Sequence, residues 1–247
     1  MKKKALIVQG GWDGHEPEQV AGIYKELLVS EGFEVEISDS LEAYADPEKL
    51  KALHLIVPHW TMGEIDPQYV RNVSEAVISG VGLAGSHGGM CDSFRKNVDW
   101  QFMTGGNWVA HPGNDGIEYT VNIKQSSSPI LEGLDDFKVI SEQYYLHVDP
   151  AVEVLATTRF PVAHGPHVLN KAVDMPVVWT KRWGVGRVFY SSLGHVADIV
   201  AMPEVSFIMK RGFLWAAEGK ELYGEPNHQN RNAFDNTQIY TGMGDSQ

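Results

Sequence analysis

Five residues, Gly85-Ser86-His87-Gly88-Gly89, constrain this chain more than any other stretch. They close the apolar run from Ala76 to Ala84, where a buried parallel strand is expected to turn into a helix. Small residues frame one functional side chain on a turn too tight for bulk, the pattern of a nucleophile elbow. The centre of such an elbow is forced towards positive φ, which histidine tolerates better than most non-glycine residues. That centre is His87, neither serine nor cysteine. An imidazole serves as a base, an acid or a metal ligand.

Composition narrows the partners. The 247 residues suit one large α/β domain or two small ones, and 43% hydrophobic with 21% charged residues is ordinary globular usage. A formal net charge of −12 argues against nucleic acid or an anionic membrane as the main partner. Seven Trp and nine Tyr favour a sugar-like or aromatic ligand, because flat amphipathic rings suit such surfaces. Cys91 is the single cysteine, so no intrachain disulfide framework exists. Met1-Lys2-Lys3-Lys4 leads into a short stretch before Gly10-Gly11, too short for a signal-peptide core or a membrane span. The expectation is a soluble, cytoplasmic protein.

Strand and helix signals alternate along the first part of the chain. Ala5 to Val8 reads as a buried strand, and Pro17 then opens a helix carrying Val20, Ile23, Tyr24, Leu27 and Leu28. Phe33 to Ile37 alternates with period two, and Leu53 to Val57 is a third strand closed by Pro58-His59. Asp66-Pro67 caps a helix whose apolar face is Val70, Val73, Val77 and Ile78. This order predicts an α/β fold, a mostly parallel sheet flanked by helices. From Trp100 to Ser128 glycine, proline and polar residues dominate, an excursion over the carboxyl edge of the sheet with one strand-like stretch at Ile117 to Ile123. Further strand signals follow at 137–140, 152–156, 177–180 and 188–191, and a last helix at Glu204 to Glu218. The expected organisation is a single domain over 1–219 and a polar arm over 220–247. Tyr223, Phe234, Ile239 and Tyr240 in that arm point to packing on a neighbouring subunit, hence a homo-oligomer.

His15, His59, His87 and His195 each fall at or just past the end of an expected strand, the edge where open α/β sheets bind ligands. They are expected to converge on one crevice. His147 is placed in or beneath the site, while His54, His164, His167 and His228 are expected to be structural or solvated. Glu142, flanked by hydrogen-bonding residues after a strand, is the best carboxylate candidate. Asp198, within one helical turn of His195, is a candidate to orient its imidazole.

With these residues in hand, the chain resembles the ThuA-like family of trehalose-utilisation proteins. The resemblance covers about Lys3 to Gly219. It is carried by Gly10-Gly11 with His15, the elbow with His87, His111-Pro112, Ser128-Pro129, Glu142-Gln143-Tyr144, Pro176 with Trp179, Gly186-Arg187-Val188-Phe189-Tyr190, Leu193-Gly194-His195 and Trp215-Ala216-Ala217. At two places the sequence departs from that family's expected pattern: Gly88-Gly89 continues the elbow, and Ser128-Pro129 replaces a His-Pro pair. The resemblance implies a flavodoxin-like, class I glutamine-amidotransferase-like fold. It also implies work on disaccharides or their keto derivatives alongside a nicotinamide-dependent sugar dehydrogenase. The chain itself lacks Gly-x-Gly-x-x-Gly after its first strand. Glutamine hydrolysis in that superfamily needs an elbow cysteine, which His87 replaces.

Two chemistries stay open at this stage. One is a divalent ion, such as zinc, on His59 and His87 with His195 or Glu142 completing the set. The other is metal-free acid–base catalysis, with His87, His195, Glu142 and His15 as the catalytic candidates. A non-catalytic sugar-binding or regulatory protein and a metal-assisted amide or ester hydrolase are the alternatives.

Overall fold

The computed structural model describes residues 2–125 and 128–223. Eleven strands are described: β1 (Lys4–Gly11), β2 (Glu34–Ser38), β3 (Leu55–Thr61), β4 (Gly82–Ser86), β5 (Gly106–Ala110), β6 (Ile117–Ile123), β7 (Phe137–Ser141), β8 (Tyr145–Val148), β9 (Glu153–Phe160), β10 (Val173–Trp183) and β11 (Gly186–Ser191). The helices are α1 (Pro17–Ser30), α2 (Pro47–Lys51), α3 (Pro67–Ile78), α4 (Gly88–Cys91), α5 (Val98–Thr104), α6 (Ala197–Val200) and α7 (Pro203–Tyr223).

Nine strands form one sheet in the order β2-β1-β3-β4-β11-β10-β9-β6-β7. The five from β2 to β11 are mutually parallel, as the alternating element order predicts. Beyond β11 the sheet continues with antiparallel pairings through β10, β9, β6 and β7. The stretch from Trp100 to Ser128 is therefore more than an excursion: it supplies α5, the sheet strand β6, and β5, which pairs with β8 in a separate two-stranded ribbon.

The central strands of the sheet are buried on both faces, and β1 shows why. Ala5 and Ile7 point into a core shared with Val20, Tyr24 and Leu28 of α1 and Phe213 of α7. Leu6 and Val8 point the other way, against Leu50 of α2 and Val70, Val73 and Val77 of α3. Burying each of those valines contributes roughly 1.5–3 kcal/mol. The helix starts follow local chemistry: Asp66 accepts from Gln68 N at 2.7 Å, and Asp46 accepts from Glu48 N and Lys49 N at 3.0 and 3.1 Å.

At the far end, α7 runs through Gly219 to Tyr223, past the boundary expected at 219. The expected arm from 224 onward, with Phe234, Ile239, Tyr240 and His228, lies outside the described residues. Among the described residues no helix is long and apolar enough to cross a membrane.

Candidate functional site

The carboxyl ends of β1, β3, β4 and β11 lie side by side, with Gly11 opposite Thr61 and Ser86 opposite Ser191. The β3–β4 ladder stops after Ile56↔Leu83, and Pro58, which has no N–H, follows in β3. Short α4 fills the space against β3 beyond that point.

His87 sits between β4 and α4 with φ 46° and ψ −139°, the positive-φ elbow expected from its glycine frame. Such a backbone costs about 1–3 kcal/mol and persists only when its surroundings fix it. They do. His87 N donates to Ser191 O at 2.7 Å, and Tyr190 Oη donates to His87 O at 3.1 Å. The two glycines that follow are packing requirements. A Cβ at Gly88 would stand 2.6 Å from His15 Cε1, and one at Gly89 2.4 Å from His59 Nδ1.

Three of the predicted histidines close on one another. The His15 ring lies 4.8 Å from that of His87 and 5.3 Å from that of His195, and His87 to His195 is 5.5 Å. Glu142, on the connection from β7 to β8, brings a buried carboxylate into their midst. Its Oε2 is 3.2 Å from His87 Nε2, and its Oε1 is 3.7 Å from His195 Nε2. One ligand atom each from His15, Glu142 and His195 lies within 4.8 Å of the others, a spacing that can hold a metal ion. His59 is not in that set. It shares a face of β3 with Thr61 but lies one layer deeper, fully buried beside Tyr24 and Gly89, with no hydrogen-bond partner for either ring nitrogen.

Orientation is imposed from beneath. His15 Nδ1 meets Thr61 Oγ1 at 2.8 Å, and His87 Nδ1 meets the Ser192 carbonyl at 2.8 Å. A carbonyl only accepts, so His87 carries its proton on Nδ1 and, when neutral, turns a lone pair from Nε2 towards Glu142. A lone pair and a carboxylate oxygen 3.2 Å apart need a proton or a cation between them.

Burial works against the charged form of three of these imidazoles. Burial, reinforced by His87, His195, His59 and His111, pushes His15 down to about 2. Burial and then His87 take His59 to about 3, and burial also lowers His87 against the opposing pull of Glu142. For Glu142, burial works against the carboxylate, but the hydrogen bond and charge of His87, with His195 and His111, outweigh it and hold the group below its usual range.

Sequence reasoning missed two contributors on the loop between β5 and β6. His111 Nδ1 stands 3.2 Å from Glu142 Oε2, in ion-pair range without hydrogen-bond alignment. Asp115 Oδ1 stands 3.3 Å from His195 Nδ1, the ring nitrogen opposite the one facing Glu142, likewise without hydrogen-bond alignment. Asp198, the expected partner, is exposed on α6. Tyr144 stacks on His87 with centroids 3.9 Å apart. The signal for the loop was His111-Pro112-Gly113-Asn114-Asp115-Gly116, two titratable residues held among turn formers. His147 is exposed on β8 opposite Asn107, and His54 accepts from Lys4 N at 3.1 Å.

No curated protein matches the chain by sequence. Among solved structures, a ThuA-like protein from Bacteroides uniformis ATCC 8492 superposes with a TM-score of 0.70 at 21% identity, covering 87% of this chain and 91% of that one. A ThuA-like protein from Parabacteroides merdae ATCC 43184 gives 0.69 at 19% identity, covering 89% and 91%. A β-galactosidase from Bacillus circulans gives 0.56 at 15% identity, covering 91% of this chain but 32% of that enzyme. At these identities the likeness is one of fold. The model of the ThuA family, described as trehalose utilisation, matches residues 4–216. Over nearly its whole described length, elbow and histidine cluster included, the chain thus belongs to the ThuA trehalose-utilisation family.

Proposed function

We propose that the protein is a carbohydrate-processing enzyme of lyase or hydrolase type, acting on a disaccharide or keto-sugar through its histidine–glutamate centre. One observation carries this reading. A buried carboxylate, Glu142, lies 3.2 Å from His87 Nε2 at a sheet edge suited to ligands. Groups so placed move protons: a ketone acidifies the neighbouring C–H, and a neutral imidazole can accept that proton while a carboxylate holds the imidazolium formed. The departing sugar oxygen takes a proton in return, a role we assign to His111, whose ring is 31% exposed beside Glu142.

His15, Glu142 and His195 fit a divalent ion of the zinc type. Two imidazoles and a carboxylate are an established catalytic donor set, and the Thr61 contact to His15 Nδ1 is the kind of support a metal-bound imidazole receives. Bound there, such an ion would polarise a substrate carbonyl. His59 is left out of this set because its ring lies a layer beneath it.

Glutaminase chemistry is poorly served. The elbow presents His87, and Cys91 is buried with its thiol pushed up by that burial. A screen of untagged protein with trehalose, other disaccharides, their 3-keto derivatives, glutamine and simple esters, with and without zinc, tests the reading. Turnover of a sugar or keto-sugar that disappears in Glu142→Gln supports it. Turnover confined to glutamine or esters overturns it.

A further inference from the structure

We infer that Trp12 is a stacking platform for a pyranose ring, a sugar subsite on the His15 side of the centre. The inference rests on the carbohydrate reading above and adds where one ring of the substrate lies. All seven tryptophans fall within the described residues, and Trp12 alone is exposed, at 47%. Its position is not remote from the chemistry. The indole meets the His15 ring edge-on with centroids 4.7 Å apart, and His15 is the imidazole nearest His87.

The indole is held rather than loose. Trp12 N donates to Thr61 O at 3.2 Å, tying the residue to the end of β3. Beneath the ring lies Gly14, where a Cβ would stand 2.4 Å from Cζ2 and 2.6 Å from Cε2 and Cη2. Those three atoms are the nearest neighbours of that position, and the Gly14 backbone is of an ordinary kind. Glycine at 14 therefore serves the indole. A side chain there would tip the ring away.

A rigid aromatic surface fixed against backbone, with polar groups at its edge, matches one kind of small ligand well. A pyranose has an apolar face of C–H groups and a rim of hydroxyls. The face can lie on the indole, while hydroxyls at the rim reach the cluster around His15. A purely apolar ligand would leave that cluster unserved, and a nucleotide would meet a chain of net charge −12.

Calorimetric titration of the full chain with trehalose and its 3-keto derivative tests the subsite. The variants are Trp12→Ala, Trp12→Phe and Gly14→Ala, each also followed by thermal melting and sedimentation. Binding is expected to weaken about tenfold in Trp12→Ala, less in Trp12→Phe, and several-fold in Gly14→Ala, with melting and sedimentation unchanged. Sugar bound as tightly by Trp12→Ala as by wild type overturns the subsite and leaves the carbohydrate reading intact. Failure of the wild type to bind either sugar overturns the subsite, and the activity screen above then decides the carbohydrate reading separately. A change of sedimentation in Trp12→Ala assigns the indole to contact with a second copy of the chain and also overturns the proposal.

Discussion

His87 donates from Nδ1 to the Ser192 carbonyl at 2.8 Å while its Nε2 faces Glu142 Oε2 at 3.2 Å. The first contact fixes the tautomer, and the second therefore requires a proton between imidazole and carboxylate or a cation held beside them by His15, Glu142 and His195. Burial makes either occupant consequential, because neither group can turn to water instead.

Glu142→Gln removes the negative charge and keeps the shape. Turnover of the sugar substrate is expected to fall by about a hundredfold or more, while the melting temperature shifts by only a few degrees. Paired kinetic and melting measurements check this, and full activity in the variant would remove Glu142 from the chemistry.

Stability of the metal-free protein is expected to fall on acidification from near pH 7. His15 and His59 have folded values of about 2 and about 3, below their ordinary 6.5, so the unfolded chain binds protons more readily. Their contribution is fully present above pH 6.5 and is lost progressively as pH falls from there towards 3. Melting curves at pH 7.5, 6 and 5 read the slope, which should flatten in His59→Gln. An unchanged slope in that variant would put the acid sensitivity elsewhere.

Two glycine substitutions should move stability in opposite directions. Gly89→Ala drives a methyl to 2.4 Å from His59 Nδ1 and 2.8 Å from His59 Cα, at an expected cost of about 1–3 kcal/mol. Gly22→Ala, inside α1 with no atom within 4 Å of the new Cβ, should stabilise by about 0.5–1 kcal/mol. Denaturant midpoints of the two variants against wild type decide it.

Asp115→Asn tests the loop that reaches His195. The carboxylate is 67% exposed on its side chain, so it adds little to folding, but it faces His195 Nδ1 at 3.3 Å. We expect kcat to fall about tenfold with little change in KM or melting temperature. A rise in KM alone would make Asp115 a binding residue instead.

Much of this was readable from the chain. Apolar runs at 5–8 and 53–57 fall on β1 and β3, whereas the run at 76–84 spans the end of α3 as well as the start of β4, which begins at Gly82; Pro17 and Asp66-Pro67 mark helix starts where the structure has them. The elbow was legible because the small residues on both sides of His87 mark a strand-to-helix turn too tight for bulk, and His87 has the positive φ such a turn requires. What sequence spacing could not supply was contact across the fold. Asp198 looked like the partner of His195 at helical spacing, but α6 begins at Ala197, so that spacing never applies. The stretch from Trp100 to Ser128 was read as passing over the carboxyl edge of the sheet, but nothing among its turn formers singled out His111 and Asp115 as the side chains that reach Glu142 and His195. His59 was read as a ligand from its strand-end position. The two-residue period of β3 instead puts Thr61 at the edge and His59 a layer below.

Metal content of protein purified without an affinity tag tests the central claim most directly, that Glu142 and its imidazoles form a cation-holding reaction centre. The account predicts about one equivalent of a divalent transition metal per chain after zinc reconstitution, lost in His15→Ala and in Glu142→Gln but retained in His59→Gln. Less than about a tenth of an equivalent in the reconstituted wild type, or equal retention in all three variants, would contradict it.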